Sequence, residues 1–521
     1  MKPIATDIYT FASLIEGGYS YVDKTVHLHE LIAGRQGKQF FLARPRRFGK
    51  SLTVSTLQAI FEVRRELFKG LAIDRSDYDW KKFPVIRLDM STTPAETVEE
   101  FREKVMDLLE EIRDQLKLKT KFVKSVDVNF RRLIRAAAKS TKEKKVVLLV
   151  DEYDKPLLGH LGRETVESFR TALKSFYSVI KATEGVQRFT FITGVSKFSK
   201  VSIFSDLNNL NEFSMDARVA TLFGYTHEEV LANFPESLAA LGAKQGLDRE
   251  QTFARLVQWY DGYHFEENSA PVFNPVSVGR CLSSGKFDPF WFETGTPSFL
   301  LRLMEKSPVV MDEIEVPQTA FSVYEPDKPA LMSLLYQTGF LTIKSARQDG
   351  GVRLYRLAPP NFEVSVAFSE ALSTEFSHLD GAENASLLTQ MVEALRADDV
   401  NDMLDALSGF FANIPANITL RREKYYQSLF YAVFTLVGAR TYAECWTNRG
   451  RVDAVVETPC GVYVFEFKLN DTAASALAQI KAKGYHEKWL RRGKKVTLVG
   501  AAFDADLRNL SDRQIEVAVQ K

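Results

Sequence analysis

Over residues 1–225, short apolar runs alternate with amphipathic stretches, the pattern of strands joined by crossover helices. Four runs predict strands: QFFLA (39–43), PVIRLDM (84–90), KVVLLV (145–150) and RFTFIT (188–193). Their near-continuous apolarity suits a parallel sheet buried on both faces, because a sheet with one wet face alternates instead. Between them, TVEEFREKVMDLLEEIRDQL (97–116) and ESFRTALKSFYSVIKA (167–182) repeat apolar residues at helical spacing. From LFGYTHEEV (222–230) to about residue 305 the pattern is helical and aromatic. Residues 306–415 read as mostly helical, with one hairpin around QDGG (348–351). From 416 onward the order is helix, strand, turn, strand, helix, strand. The expectation is an α/β chain in four parts: a parallel-sheet core (1–225), a helical lid (226–305), a mostly helical middle region (306–415) and an α/β tail (416–521).

Composition narrows the class without changing this layout. A chain of 521 residues is too long for one hydrophobic core, and 45% hydrophobic with 26% charged residues is ordinary for a soluble protein. The opening MKPIATDIYTFASLIEGGYS has no apolar segment after a basic start, so it does not read as a signal peptide. No uncharged apolar run is long enough to span a membrane. The expected location is cytoplasmic. Cys281, Cys445 and Cys460 lack paired spacing, and His27 and His29 have no ligand cluster around them, so neither disulfides nor zinc are expected. The net charge of +1 conceals an asymmetry: residues 421–521 hold 17 Lys and Arg against 11 Asp and Glu, and the rest 51 against 56. A polyanion would therefore sit on the tail, although a solvated basic face has the same composition.

FFLARPRRFGKSL (40–52) puts a strand directly before a tight loop and a helix. Phosphate binding needs that order, because a helix N-terminus offers free N–H donors and a positive dipole end. Arg46, Arg47, Phe48 and Gly49 form the loop, Lys50 reaches the β- and γ-phosphates, and the Ser51 hydroxyl holds Mg²⁺. Arg44 stands where such loops usually have their first glycine, and Pro45 lacks an N–H. VVLLVDEYD (146–154) supplies the second element, carrying Asp151 to the carboxyl edge of the sheet as an Mg²⁺ ligand. Glu152 would orient or deprotonate the attacking water. Thr193 and Ser196, in RFTFITGVSKFSK (188–200), are candidates for sensing the γ-phosphate, with ordinary turn chemistry as the alternative.

These residues resemble the AAA-ATPase-like family of bacterial and archaeal proteins, a divergent branch of the AAA+ P-loop ATPases. The resemblance rests on YVDKT (21–25), RPRRFGKSL (44–52), VLLVDEYDKPL (147–157), FITGVSKFS (191–199), LFGYTHEEV (222–230) and WYDGYHF (259–265). It continues through FNPVSV (273–278) and TGTPSFL (294–300) and so covers roughly residues 5–300. It implies ATP with Mg²⁺, a P-loop sheet followed by a helical lid containing WYDGYHF, and RPRRFGK as a usual form of the loop. It further implies YVDKT at a strand edge near the adenine. Arg46 and Arg47 would contact phosphate or be donated to a neighbouring subunit of a homo-oligomer, salt-bridged surface arginines being the alternative.

In the tail, GVYVFEFKL (461–469) alternates with period two, so Val464, Glu466 and Lys468 share one face. A second strand in GRVDAVVE (450–457) lets a hairpin bring Asp453 beside Glu466. Two carboxylates so close repel unless a divalent cation, Mg²⁺ or Mn²⁺ by the oxygen chemistry, lies between them. Lys468 would then orient or activate the attacking water, or stabilise the phosphorane-like charge. Glu423 and Gln427 lie one turn apart in RREKYYQSLFYAVF (421–434). SALAQIKAKGYHEKWLRRGKK (475–495) carries Gln479, then seven Lys and Arg with a single Glu487, a run suited to holding a phosphate backbone. The alternative is a cross-strand salt bridge between Asp453 and Lys468. This constellation resembles the PD-(D/E)XK nuclease superfamily over about 416–505, which implies a restriction-endonuclease-like fold. Asp453 and Glu466-x-Lys468 would be its core motif, with Glu423 and Gln479 on the flanking helices.

The combined expectation is an ATPase controlling a metal-dependent nuclease that acts on nucleic acid, DNA in preference to RNA. A nucleotide-driven signalling or defence switch, whose tail binds nucleic acid or a partner without cutting, is the alternative. A third reading makes the nuclease fold a dimerisation module of a transposon-like or regulatory assembly.

Overall fold

The structure, a computed structural model, describes residues 2–33, 37–197, 210–291, 300, 304, 314–322, 330–377, 380–412, 429, 432–437, 454–458, 460–484, 486–491, 493–504, 506–507 and 509–519. Glu423, Gln427 and Asp453 lie outside the described residues. The chain divides into two units, Met1–Trp291 with Glu315–Asn361, and Phe292–Ile314 with Phe362–Lys521. The middle region expected over 306–415 is thus split between them.

The first unit is built on strands β1 (Gln39–Ala43), β2 (Val85–Asp89), β3 (Val146–Asp151), β4 (Gln187–Gly194) and the short β5 (Asn211–Glu212). All neighbours are parallel, in the order β2-β3-β4-β1-β5. Every residue of β1 and β3 is buried, as their unbroken apolar runs require. The helices Val98–Gln115 and Val126–Lys139 start where Thr97 and Ser125 accept a backbone N–H three residues on. Phe130 stacks on Phe176 of the helix Val166–Ala182, with ring centroids 4.7 Å apart.

One expectation fails here. YVDKT is not a strand edge: Tyr21–Lys24 are irregular and Thr25 opens the helix Thr25–Ile32. The Asp23 carboxylate accepts the Thr25 N–H and hydroxyl and the Ala72 N–H, while Lys24 donates to Glu229 and to the Thr221 carbonyl. A short polar side chain bonded to the backbone two residues on starts a helix, not a strand.

The following helices, His227–Asn233, Pro235–Gln245, Arg249–Tyr260 and Pro275–Ser284, enclose their own core around Phe234, Leu256, Tyr260 and Phe273. The hairpin expected near 348–351 is present as β7 (Thr342–Asp349) and β8 (Val352–Ala358), joined by a third strand, β6 (Ile314–Pro317). The short helix Leu331–Thr338 precedes it.

In the second unit, helices Phe362–Ser377, Gly381–Arg396 and Val400–Ala412 come first. A mixed sheet follows: β9 (Ala454–Thr458), β10 (Gly461–Leu469), β11 (Val496–Asp504) and β12 (Asn509–Ala518), in the order β12-β11-β10-β9. β10 and β11 are parallel because the helix Ala473–Lys483 crosses between them. β12 is an additional strand that the sequence reading lacked. It pairs antiparallel with β11 at the sheet edge, and its exposed polar positions mask the alternation.

Candidate functional site

Because the five strands of the first sheet are parallel, their carboxyl ends meet at one edge. Ala43 stands opposite Gly194 and Asp89 opposite Asp151. The loop after β1 turns through left-handed backbone twice, at Arg47 (φ 67) and at Gly49 (φ 88), which caps the helix Lys50–Phe61. Only at Gly49 is that free of side-chain strain, which costs about 1–2 kcal/mol elsewhere.

Lys50 is buried, and its Nζ donates to the carbonyls of Arg44 and Pro45 at 2.9 and 2.8 Å. Burial pushes its ammonium down to about 8, against the pull of Asp151, Glu152 and Asp154. Asp151 is fully buried, and its Oδ1 accepts the Glu152 N–H at 3.0 Å. Its Oδ2 has no hydrogen-bond partner among the described residues. Burial raises its pKa, opposed by the nearby Ser51 hydroxyl and by the Lys50 charge. An orphaned carboxylate oxygen beside a hydroxyl and an ammonium is a donor set that fits Mg²⁺ and a polyphosphate. Glu152, next along, has a left-handed φ of 48 and faces Lys155 at 3.9 Å.

Other expected residues take structural partners. Phe48 contributes its backbone to the loop, while its ring packs edge-on against Tyr263 and Phe265 of WYDGYHF. Arg46 is exposed and Arg47 half-buried. Thr193 gives its hydroxyl to the Leu42 carbonyl at 2.8 Å, tying β4 to β1. The Ser196 side chain is buried, and its N–H donates to Asp154.

Two residues in this unit escaped the sequence reading. Asp154 lies in DEYD and accepts the N–H groups of Val195 (3.1 Å) and Ser196 (2.6 Å), fixing the exit of β4. Arg44, read as a missing glycine, is 1% exposed, stacks 4.0 Å over the Phe265 ring and donates to the Ala43 and Ser214 carbonyls. The signal for Asp154 was the third acid of DEYD; for Arg44 it was the aromatic density of WYDGYHF.

In the tail, Val464 and Glu466 of β10 face the helix Ala473–Lys483, where Leu477 and Ile480 cover Val464. Three expected residues converge there. Lys468 Nζ lies 3.2 Å from Glu466 Oε1 and 2.7 Å from Gln479 Oε1, and Gln479 Nε2 donates to Glu466. Glu466 is 3% exposed. Gly500 stands opposite Glu466 on β11, and a Cβ there would lie 2.9 Å from the Leu477 N of the covering helix. That glycine lets the helix approach closely enough to deliver Gln479. β9 pairs with β10 as far as Ala454 opposite Phe465, and Asp453 is the preceding residue in the sequence. Among the described residues, no group of three His, Cys, Asp or Glu could hold a metal.

The basic run is less free than its composition implied. Lys481 pairs with Glu516 and Arg491 with Glu487, while Lys494 pairs with Glu457 and Lys495 with Asp398. Three of these carboxylates, Glu516, Glu457 and Asp398, lie far from their lysines in the sequence, while Glu487 is one turn from Arg491.

Comparison with known proteins agrees with both halves. A family model described as "Predicted AAA-ATPase" matches residues 4–204, and a PD-(D/E)XK nuclease superfamily model matches residues 421–513. The "Uncharacterized protein in vnfD 5'region" of Azotobacter chroococcum mcd 1 is 37% identical over 526 residues, covering 98% of each chain. Among the described residues no helix is long and apolar enough to cross a membrane. The chain belongs to the AAA-ATPase-like family and carries a PD-(D/E)XK nuclease superfamily domain in its tail.

Proposed function

We infer that the first unit binds and hydrolyses ATP, and that its nucleotide state controls a divalent-metal-dependent phosphodiesterase in the tail. The orphaned Asp151 Oδ2, buried at the sheet edge that also carries Lys50 and Ser51, is the observation that supports it most. In this reading Lys50 leaves the Arg44 and Pro45 carbonyls for the β- and γ-phosphates, which repay its desolvation with opposite charge. Ser51 and Asp151 hold Mg²⁺, which when bound neutralises phosphate charge. Glu152 orients the attacking water, and the exposed Arg46 with the half-buried Arg47 would meet phosphate or a neighbouring copy.

In the tail, Glu466 with Asp453 and Glu423 would hold Mg²⁺ or Mn²⁺, the cation supplying Lewis acidity toward a phosphodiester. Lys468 is positioned by Gln479 and Glu466 and would stabilise charge on the phosphate oxygens. Nucleic acid, DNA in preference to RNA, is the proposed substrate. The full-length chain tests this on single- and double-stranded DNA and RNA with Mg²⁺ or Mn²⁺, with and without ATP. Asp453→Ala should lose metal affinity and cleavage together, whereas Lys468→Ala should lose cleavage alone. Calorimetry showing no divalent-ion binding in the parent would remove the nuclease.

A second reading is favoured by the ion pairs of the basic run. If Lys481, Lys494 and Lys495 serve Glu516, Glu457 and Asp398, the tail is a binding module and the chain a nucleotide-driven signalling or defence switch. Robust divalent-dependent cleavage would exclude it.

A further inference from the structure

Gln337 lies outside both family-matched segments, in the helix Leu331–Thr338 that follows the lid. It is 6% exposed, although nothing in LMSLLYQT marks it as functional. Its Oε1 accepts the Lys197 N–H at 2.6 Å, and its Nε2 donates to the Ser322 carbonyl at 3.0 Å and the Lys197 carbonyl at 3.4 Å. Lys197 immediately follows Ser196, so this amide holds the exit of β4 from one side while Asp154 holds it from the other. The same helix end also touches the phosphate loop. Gly339 terminates it with φ 92, and a Cβ there would lie 2.9 Å from Pro45 Cβ. A small cavity of about 30 Å³ lies between these elements, lined by Arg44, Pro45, Val195, Lys197, Tyr336 and Gln337. The Lys197 ammonium is engaged by Glu212 at 2.6 Å, so only the main chain of Lys197 answers to Gln337.

We propose that Gln337 is a positioning residue of the ATPase site, making hydrolysis depend on the segment that follows the lid. The inference rests on the ATPase reading. Backbone on the two sides of the phosphate position, Pro45 and Ser196–Lys197, is held by one short helix, so displacing that helix misaligns both. Misplacement of a catalytic frame by a fraction of its hydrogen-bond length affects turnover more than ground-state binding.

ATP hydrolysis by the full-length parent, Gln337→Ala, Gln337→Glu and Lys50→Ala tests it, with melting temperatures measured alongside. Gln337→Glu keeps an acceptor for the Lys197 N–H but loses the Nε2 donor to the Ser322 and Lys197 carbonyls. Gln337→Ala should lose about tenfold or more in kcat with KM held within about twofold, and Gln337→Glu should recover part of the loss. A Gln337→Ala variant with parental kcat overturns the inference, as does a loss in both variants that merely tracks their melting temperatures. A parent as inert as Lys50→Ala removes the ATPase reading and this inference with it. An active parent beside an inert Lys50→Ala confines any failure to Gln337.

Discussion

The Ser196 N–H donates to the Asp154 carboxylate at 2.6 Å, joining the chain just after β3 to the chain just after β4. Val195 donates to the same carboxylate, and Gly194 leaves room for it, since a Cβ there would fall on Asp154 and within 2.6 Å of the Tyr153 ring. Asp154→Ala strands two buried N–H groups, each worth about 1–3 kcal/mol when unsatisfied. Chemical denaturation should therefore show a loss of about 2–6 kcal/mol. Gly194→Ala should also destabilise, and the pair should be less than additive, because removing the carboxylate relieves part of the clash. Strict additivity would separate the two positions.

Lys50 sets a pH dependence. Its folded-state pKa, about 8, lies below the ordinary 10.5 because burial disfavours the ammonium. Below pH 8 the group is charged in both the folded and the unfolded chain, and the cost of burying it is fully present. Between about 8 and 10.5 the folded chain releases this proton first, so stability from Lys50 rises with pH across that window. Polyphosphate beside the ammonium raises the pKa again, so nucleotide binding at about pH 8.5 should take up roughly half a proton or more. Calorimetry in buffers of different ionisation enthalpy measures this directly. Lys50→Met should show no such uptake, and equal uptake in both proteins would place the titrating group elsewhere.

Gly500 governs how the tail cluster is assembled. A side chain there must lift the helix Ala473–Lys483, which carries Gln479 away from Glu466 and Lys468. Gly500→Val should cost about 1–3 kcal/mol by overpacking and reduce tail activity. Gln479→Ala should reduce activity without a comparable loss of stability. A stable, fully active Gly500→Val would show that the helix need not lie so close.

The ion-paired basic run yields a salt-titration test. Exposed pairs such as Lys481–Glu516 contribute about 0–1 kcal/mol and can be exchanged for phosphate contacts. If Lys481 and Lys494 contact a nucleic-acid backbone, each Ala substitution should lower the salt dependence of binding by about one counterion while leaving stability nearly unchanged. Parental affinity and slope in both variants would assign these lysines to their carboxylates alone.

Much of this was legible from local pattern. Strands β1 and β3 are apolar runs buried throughout, and the order strand, GKS, helix fixes where Lys50 and Ser51 must point. Glu466, Lys468 and Gln479 were legible because period two on a strand and a following helix bring them to one face. What was hidden depends on contacts remote in sequence. Gln337 reaches Lys197 from 140 residues away, and its neighbours read as plain helix. Arg44 resembled a lost glycine because its aromatic partner, Phe265, lies far along the sequence. YVDKT misled because Asp23 bonds the backbone two residues on, and β12 because polar side chains fill its outward face.

Coupling between the two functions is the central claim, and one measurement addresses it most directly: divalent-dependent cleavage of nucleic acid by the full-length chain, with and without ATP, in the parent and in Lys50→Ala. In the parent, cleavage should require Mg²⁺ or Mn²⁺ and change severalfold on adding ATP, a coupling of about 1–3 kcal/mol. In Lys50→Ala, cleavage should persist with no response to ATP. Cleavage that is absent in the parent, or that responds to ATP equally in both proteins, would contradict the account.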